Sequence, residues 1–336
     1  MTGKLSEIQL FDGSITACDK PSRGSPSMDI RQLRALLAVA ETGSATKAAE
    51  MLRIVQPAVS RHIRLLEEEF GVELFGRERH GMVLTEAGKT LAEYGRRALQ
   101  ELDRARAEIK PSSGAITGTA SLGLLPSTCE LLAPELVAAI KNKHPALVVR
   151  LTAGYAGNLV QWLEAGDVDV ALLYDVKSSA GLHLEPLLDE RLYLVGPPGS
   201  VALDDVHDVA ALQNLPLILP NAPHGLRTVV EHACAVAGIT PTVAVETNSL
   251  NLQKSLVAAG FGYTVLPTSA VSEEIASGAL AAAPLDSPDL SRRIVLAKLM
   301  TRRVSPAANV ASLELVALAR RLVLSGAWPG ASWVGT

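Results

Sequence analysis

From residue 30 to residue 109 the apolar positions recur at helical spacing. Ile30, Leu33, Leu36, Leu37 and Ala40 make one stripe that stops at Gly43. Ser44 stands where a cap belongs, and Ala45, Ala48, Ala49 and Leu52 form the inner face of a second, short helix. Pro57 suits the first turn of a third helix, in which Val59, Ile63, Leu66 and Phe70 share a face before Gly71 ends it. Residues 72–84 have little periodicity and carry Arg77, Arg79, His80 and Gly81, the pattern of a short exposed hairpin or wing. Thr85 then caps a long helix. In it Leu91, Ala98 and Ala105 recur every seven residues, with Leu102 and Ile109 in companion positions and Tyr94 beside them. Such a seam packs either on its own domain or on a second copy, and its charged flanks favour the copy. Pro111-Ser-Ser-Gly114 breaks the helix.

Beyond Ala115 short apolar runs alternate with amphipathic stretches. Residues 119–125, 147–151, 168–173, 217–219, 242–246, 262–266 and 293–299 read as strands; 131–142, 159–165, 227–237 and 250–259 read as helices. The alternation predicts a largely parallel sheet with covered faces. About 220 residues is long for one such unit, so two α/β lobes are expected. The following stretch, 326–336, reads as a C-terminal tail.

The chain has 336 residues, enough for about two domains, and its 48% hydrophobic and 20% charged content is that of a globular protein. A net charge of -4 argues against nucleic acid only if it is evenly spread. It is not. Residues 28–110 hold 14 basic and 13 acidic groups, residues 111–336 hold 14 and 19, and residues 44–64 hold four basic and one acidic. Cys18, Cys129 and Cys234 lie too far apart in sequence to suggest a metal site or a disulfide framework, which fits a reducing cytoplasm. Ile15-Thr-Ala-Cys18 spells a lipoprotein cleavage box, but Lys4, Glu7 and Asp12 precede it without an apolar run. Residues 1–27 therefore read as a loose, disordered extension, with Met28 an alternative start, and no run has the ~20 apolar residues of a membrane span.

Three short helices and a basic wing are the pattern of a winged helix-turn-helix, whose third helix enters a DNA major groove. Gln56, Ser60, Arg61 and Arg64 fall on the arc opposite the apolar stripe. Gln and Arg side chains read adenine and guanine edges, while Ser60, Ser44 and Lys47 can hold phosphates. Each polar residue is equally explained as part of a solvated face. Ser44-Ala-Thr-Lys47 also spells a penicillin-binding SxxK, but without its companion elements.

Taken together, residues 28–91 resemble the LysR-type transcriptional regulators. The likeness is carried by Arg31-Gln-Leu33, Gly43-Ser44 with Ala48-Ala49, Gln56-Pro-Ala-Val-Ser60, Leu65 and Glu67 with Gly71, Leu74-Phe75 with Arg77, and Leu84-Thr-Glu-Ala-Gly88. The resemblance implies a DNA-binding domain at 28–86 in which Gln56, Pro57, Ser60 and Arg61 sit at the groove and Arg77 or Arg79 approaches backbone or minor groove. It implies a linker and dimerisation helix with hinge at 87–114, and a two-lobed, periplasmic-binding-protein-like effector domain at 115–325. The partners it implies are double-stranded DNA, further copies of the chain as a homodimer or homotetramer, and RNA polymerase. The phrasing of residues 187–194, 224–227 and 262–267 is most similar to the nitrogen-assimilation-control branch of that family.

Between the lobes several residues cluster at strand C-terminal ends: Ser127 and Thr128 after Leu122-Gly-Leu-Leu-Pro126, Tyr155, His224 and Arg227, and Thr247 with Ser249. Helix starts and a basic group suggest a small organic anion as effector, a carboxylate or sulfonate. Plain helix capping explains the Ser and Thr residues equally well. An enzyme is the competing reading for the α/β half, yet no GxSxG elbow, HExxH, P-loop or dinucleotide fingerprint is present. A solute-binding protein whose N-terminal helices serve only to dimerise is another. No cofactor and no metal are expected, and no membrane partner.

Overall fold

The computed structural model describes residues 28–78, 81–109, 116–174, 181–287 and 290–335. The expected loose extension at 1–27, Arg79, and the helix break at 111–114 lie outside these residues, as does the side chain of Arg77. The chain divides into two compact units, Met1–Leu99 and Gln100–Thr336.

The first unit begins with α1 (Ile30–Thr42), closed at its start by a capping box. Asp29 accepts from the amides of Arg31 and Gln32, and Gln32 Oε1 accepts from the amide of Asp29 at 2.8 Å. α2 (Ala45–Leu52) follows with Ser44 as its cap, and α3 (Gln56–Phe70) starts with Pro57 in its first turn. Ala35, Leu36, Val39, Ala48, Ala49, Val59, Ile63 and Leu66 form the shared core. Phe70, expected on that face, is instead exposed at the helix end. β1 (Phe75–Glu78) and β2 (Gly81–Leu84) pair antiparallel as the wing. The wing is tied to the turn after α1, where the Met82 amide donates to the Gly43 carbonyl at 2.9 Å. Gly81 has φ +129°, and a Cβ there would lie 2.5 Å from that same carbonyl oxygen, so only glycine permits the approach. α4 (Glu86–Ile109) starts at Thr85, whose hydroxyl accepts from the Gly88 amide.

The second unit holds two lobes. The first contains β3 (Gly118–Leu124), α5 (Pro126–Lys143), β4 (Leu147–Ala153), α6 (Ala156–Ala165), β5 (Val170–Tyr174) and β6 (Leu182–Arg191). The chain then builds the whole second lobe: β7 (Tyr193–Gly196), β8 (His207–Asp208), β9 (Pro216–Leu219), α7 (Gly225–Val236), β10 (Thr242–Glu246), α8 (Leu250–Ala258), β11 (Thr264–Leu266), α9 (Ser272–Ser277) and β12 (Ala281–Asp286). It returns to the first lobe with β13 (Ser291–Leu299), α10 (Pro306–Leu324) and β14 (Ala331–Trp333). The first-lobe sheet has the order β14-β6-β13-β5-β3-β4. Two separate cores fill the lobes, one around Leu122, Leu136, Ile140, Leu159, Leu172 and Leu315, the other around Leu194, Leu217, Ile218, Val230 and Val265.

Two expectations need correction. The sheets are mixed rather than largely parallel: β3 runs parallel to β4 and β5, but β13 is antiparallel to both β5 and β6, and β7 is antiparallel to β11 and β12. Of the antiparallel strands, β11 and β13 are read from the alternation but β6, β7 and β12 are not, because β6 mixes apolar with charged residues and β12 is rich in alanine. Of the supposed tail at 326–336, the described residues 326–335 are built into the first lobe. β14 pairs with β6 and Trp328 is buried beneath it, because an indole removed from water is worth more to the fold than a free end.

Candidate nucleic-acid interface and ligand cleft

α3 presents the polar arc that the sequence predicts. Val59, Ile63 and Leu66 are buried, whereas Gln56, Pro57, Ser60, Arg61 and Arg64 are exposed on the opposite side. Gln56 Nε2 donates to Ser60 Oγ at 2.8 Å, while Arg64 pairs with Glu68 at 3.1 Å. Lys47 is exposed on α2; Ser44 is half-buried and its hydroxyl is turned to the Lys47 amide as a cap. Of the acidic run on α3, Glu67 is turned back into the fold, accepting from the Leu74 amide.

α4 divides the heptad seam. Leu91 packs against the first-unit core, with Ala92 buried beside it, whereas Tyr94, Ala98, Leu102, Ala105 and Ile109 are exposed.

Between the lobes of the second unit lies a cavity of about 400 Å³. Ser127, Tyr155 and His224 line it, together with Tyr174, Gln253 and Arg292, which sequence reasoning missed. Tyr155 bridges the lobes: its hydroxyl donates to the Asn248 carbonyl and its ring meets the His224 ring edge-on, centroids 4.9 Å apart. His224 caps α7, with Nδ1 accepting from the Leu226 amide at 3.1 Å. Burial, and then the charge of Arg292, hold its pKa below the ordinary histidine value.

The floor is a buried polar chain. Ser127 Oγ meets the Tyr174 hydroxyl at 2.5 Å, and Arg292 Nη2 donates to that hydroxyl at 2.8 Å while the guanidinium stacks 3.6 Å from the ring centroid. Burial, opposed by Arg292 and reinforced by Glu190, pushes the Tyr174 phenol up to about 12. Glu190, wholly buried, lies 3.5 Å from Arg292 Nη2 and accepts through Oε1 from Ser269 at 2.6 Å and Trp328 Nε1 at 2.9 Å.

The other expected cleft residues are not brought in. Thr128 is fully buried and donates to the Leu125 carbonyl within its own turn. Arg227 points away, held by the carboxylates of Glu231 and Glu246 on its own side. Thr247 accepts from the Ser249 amide and Ser249 from the Leu252 amide, so both are spent on the cap of α8. Arg292 carried a weak signal: Asp189-Glu190 opposes Arg292-Arg293 across β6 and β13. No helix among the described residues is long and apolar enough to cross a membrane, and no cluster of metal-ligating residues occurs among them.

A winged helix with an exposed polar third helix, joined through a long helix to a two-lobed α/β unit with a cleft, defines a ligand-responsive DNA-binding regulator. Comparison with known proteins agrees. Residues 30–89 match the family described as bacterial regulatory helix-turn-helix protein, lysR family, and residues 113–317 match the LysR substrate binding domain. The chain belongs to the LysR family of transcriptional regulators. It is 32% identical to the HTH-type transcriptional regulator BbuR of Bordetella bronchiseptica, over 90% of this chain and 94% of that one. It is 30% identical to the nitrogen assimilation regulatory protein nac of Klebsiella aerogenes, over 88% and 96%. Among solved structures it is similar to full-length CbnR in complex with its target DNA, with a TM-score of 0.65, 25% identity and coverage of 88% and 99%. These relatives are transcriptional regulators, not enzymes.

Proposed function

We propose that this regulator reads DNA through Gln56, Pro57, Ser60 and Arg61 on α3, with Arg64, Lys47 and the Ser44 turn on phosphates and Arg77 and Arg79 at the wing. It pairs with a second copy along Tyr94, Ala98, Leu102, Ala105 and Ile109, and two such dimers form the tetramer that engages RNA polymerase. A small organic anion between the lobes, touching Ser127, Tyr155 and His224, sets the response. The supporting observation is the division of α3 into a buried apolar face and an exposed arc of base-reading and phosphate-binding side chains. Cleft lining that joins residues from both lobes supports a ligand acting on lobe placement.

Footprinting on DNA flanking its own gene, at stated salt, tests the reading. Protection of a spaced palindrome that weakens in Arg61→Ala is the expected result. Equal protection by the variant would remove Arg61 from the base-reading set.

A further inference from the structure

Four helices begin at the cleft: α5 with Pro126 and Ser127, α6 with Ala156 and Gly157, α7 with Gly225 and Leu226, and α8 with Leu250. Their starts differ by lobe. On the second lobe His224 and Ser249 cap α7 and α8 with their side chains, whereas on the first lobe Leu125 and Tyr155 give α5 and α6 no side-chain cap. Each side-chain cap takes one amide of its helix start, so the starts on the first lobe, which have none, keep more of their donors free.

Arg292 opens on the same side. Its side chain is 6% exposed, its Nε has no hydrogen-bond partner, and its counter-charge Glu190 stands at 3.5 Å with Oε2 unpartnered. That spacing is longer than the good charge-assisted bond such a buried pair calls for, so Glu190 satisfies the guanidinium only in part. Across the cavity the second lobe offers a mainly apolar wall of Pro220, Pro223, Leu226, Leu250, Leu266 and Pro267, with Gln253 set in it, its amide nitrogen held by the Ile218 carbonyl and the Thr264 hydroxyl. Arg292 is the one Lys or Arg among the described lining residues.

We propose that Arg292 anchors the ligand's anionic head, and that the ligand is a monocarboxylate on a ring-sized apolar body, its head on the first lobe and its ring against the second. The inference rests on the cleft being the effector site. A planar carboxylate matches the guanidinium fork, and the uncapped starts of α5 and α6 add to its attraction. A second carboxylate would face the apolar wall and a histidine whose burial disfavours its charged form. The cavity suits a single ring with its substituent.

Calorimetric titration of the full chain with benzoate, cyclohexanecarboxylate and indole-3-acetate, each beside its primary amide, is the test. In the wild type at least one carboxylate is expected to bind roughly tenfold or more tightly than its amide. In Glu190→Gln/Arg292→Met, which removes both buried charges together, the pair is expected to converge to within about twofold. No carboxylate preference in the wild type, or a preference that survives the double variant, overturns the assignment. Arg292→Lys keeps the charge opposite Glu190 and decides the matter should the double variant not fold: about fivefold weaker carboxylate binding is expected, and unchanged binding overturns the assignment. Gly157→Trp separates this from failure of the cleft itself. A Cβ at 157 meets nothing within 4 Å, so the added ring enters open space at the cavity wall. Carboxylate binding unchanged by Gly157→Trp places the probe elsewhere and overturns both readings. Binding lost there but retained in the charge variants overturns only Arg292.

Discussion

Replacing Trp328 by Phe removes one of the two donors that hold the buried Glu190 carboxylate. The bond is 2.9 Å long, both partners are buried, and the acceptor is charged. Hydrogen bonds of this kind are worth about 1.5 to 3 kcal/mol, and the lost part of the ring adds roughly 1 kcal/mol by the area rule. Trp333 supplies the control, since its Nε1 is buried in the same lobe without a partner. Trp333→Phe removes a donor that makes no bond and should cost within about 1 kcal/mol of nothing. Urea unfolding of both variants, followed by near-ultraviolet circular dichroism of the C-terminal unit, compares midpoints at constant slope. Trp328→Phe is expected to lose about 2.5 to 4 kcal/mol and to weaken ligand binding, because a loosened Glu190 no longer fixes Arg292. Equal midpoints for the two variants would refute the view that the C-terminal segment supports the cleft floor.

Further outcomes follow from the same geometry. His224 has a folded-state pKa below its unfolded value of about 6.5, so its contribution is fully present above that pH and is lost as pH falls and the unfolded state takes up the proton first. Melting curves of wild type between pH 7.5 and 5.5 should show this loss, and His224→Asn, a cap that does not titrate, should flatten it. Leu102→Asp with Ile109→Asp places charges in the exposed row of α4 and is expected to lower the sedimentation mass to a smaller oligomer; an unchanged mass would move the subunit contact elsewhere. Lys47→Ala should weaken binding to all DNA sequences alike and reduce the salt slope by about one, whereas Gln56→Ala should relax preference at one base step, both measured by fluorescence anisotropy. Gly81→Ala forces a Cβ against the Gly43 carbonyl in a left-handed backbone and should destabilise the first unit by about 1 to 3 kcal/mol on thermal unfolding.

The first unit was legible because its determinants are local. Ser44, Pro57 and Thr85 each announce a helix start within a few residues, and the buried stripe of α3 follows from spacing alone. The cleft was legible only at its helix starts. Ser127, Tyr155 and His224 were found by that signal, but the same signal equally selects Thr128, Thr247 and Ser249, whose hydroxyls close their own turns. What separates the two groups is which way a turn faces, and that is set by packing between distant strands. Arg292 and Arg293 are adjacent and chemically alike; pleat alternation sends one inward to Glu190 and the other outward to Asp189. Nothing near either residue says which is which, because the inward choice is fixed by Ser269 and Trp328, remote in sequence from both.

The interleaving of the lobes has a consequence for how the molecule is made. Translation delivers the DNA-reading unit, then β3 to β6 of the first lobe, and then, in one uninterrupted stretch, the entire second lobe, while the first-lobe sheet still lacks β13 and β14. The cleft floor is thus the last thing the ribosome completes. A late stop codon ahead of Trp328 would leave every element of the operator-reading unit in place and remove the donor to Glu190. Such a lesion would uncouple promoter occupancy from the signal meant to govern it.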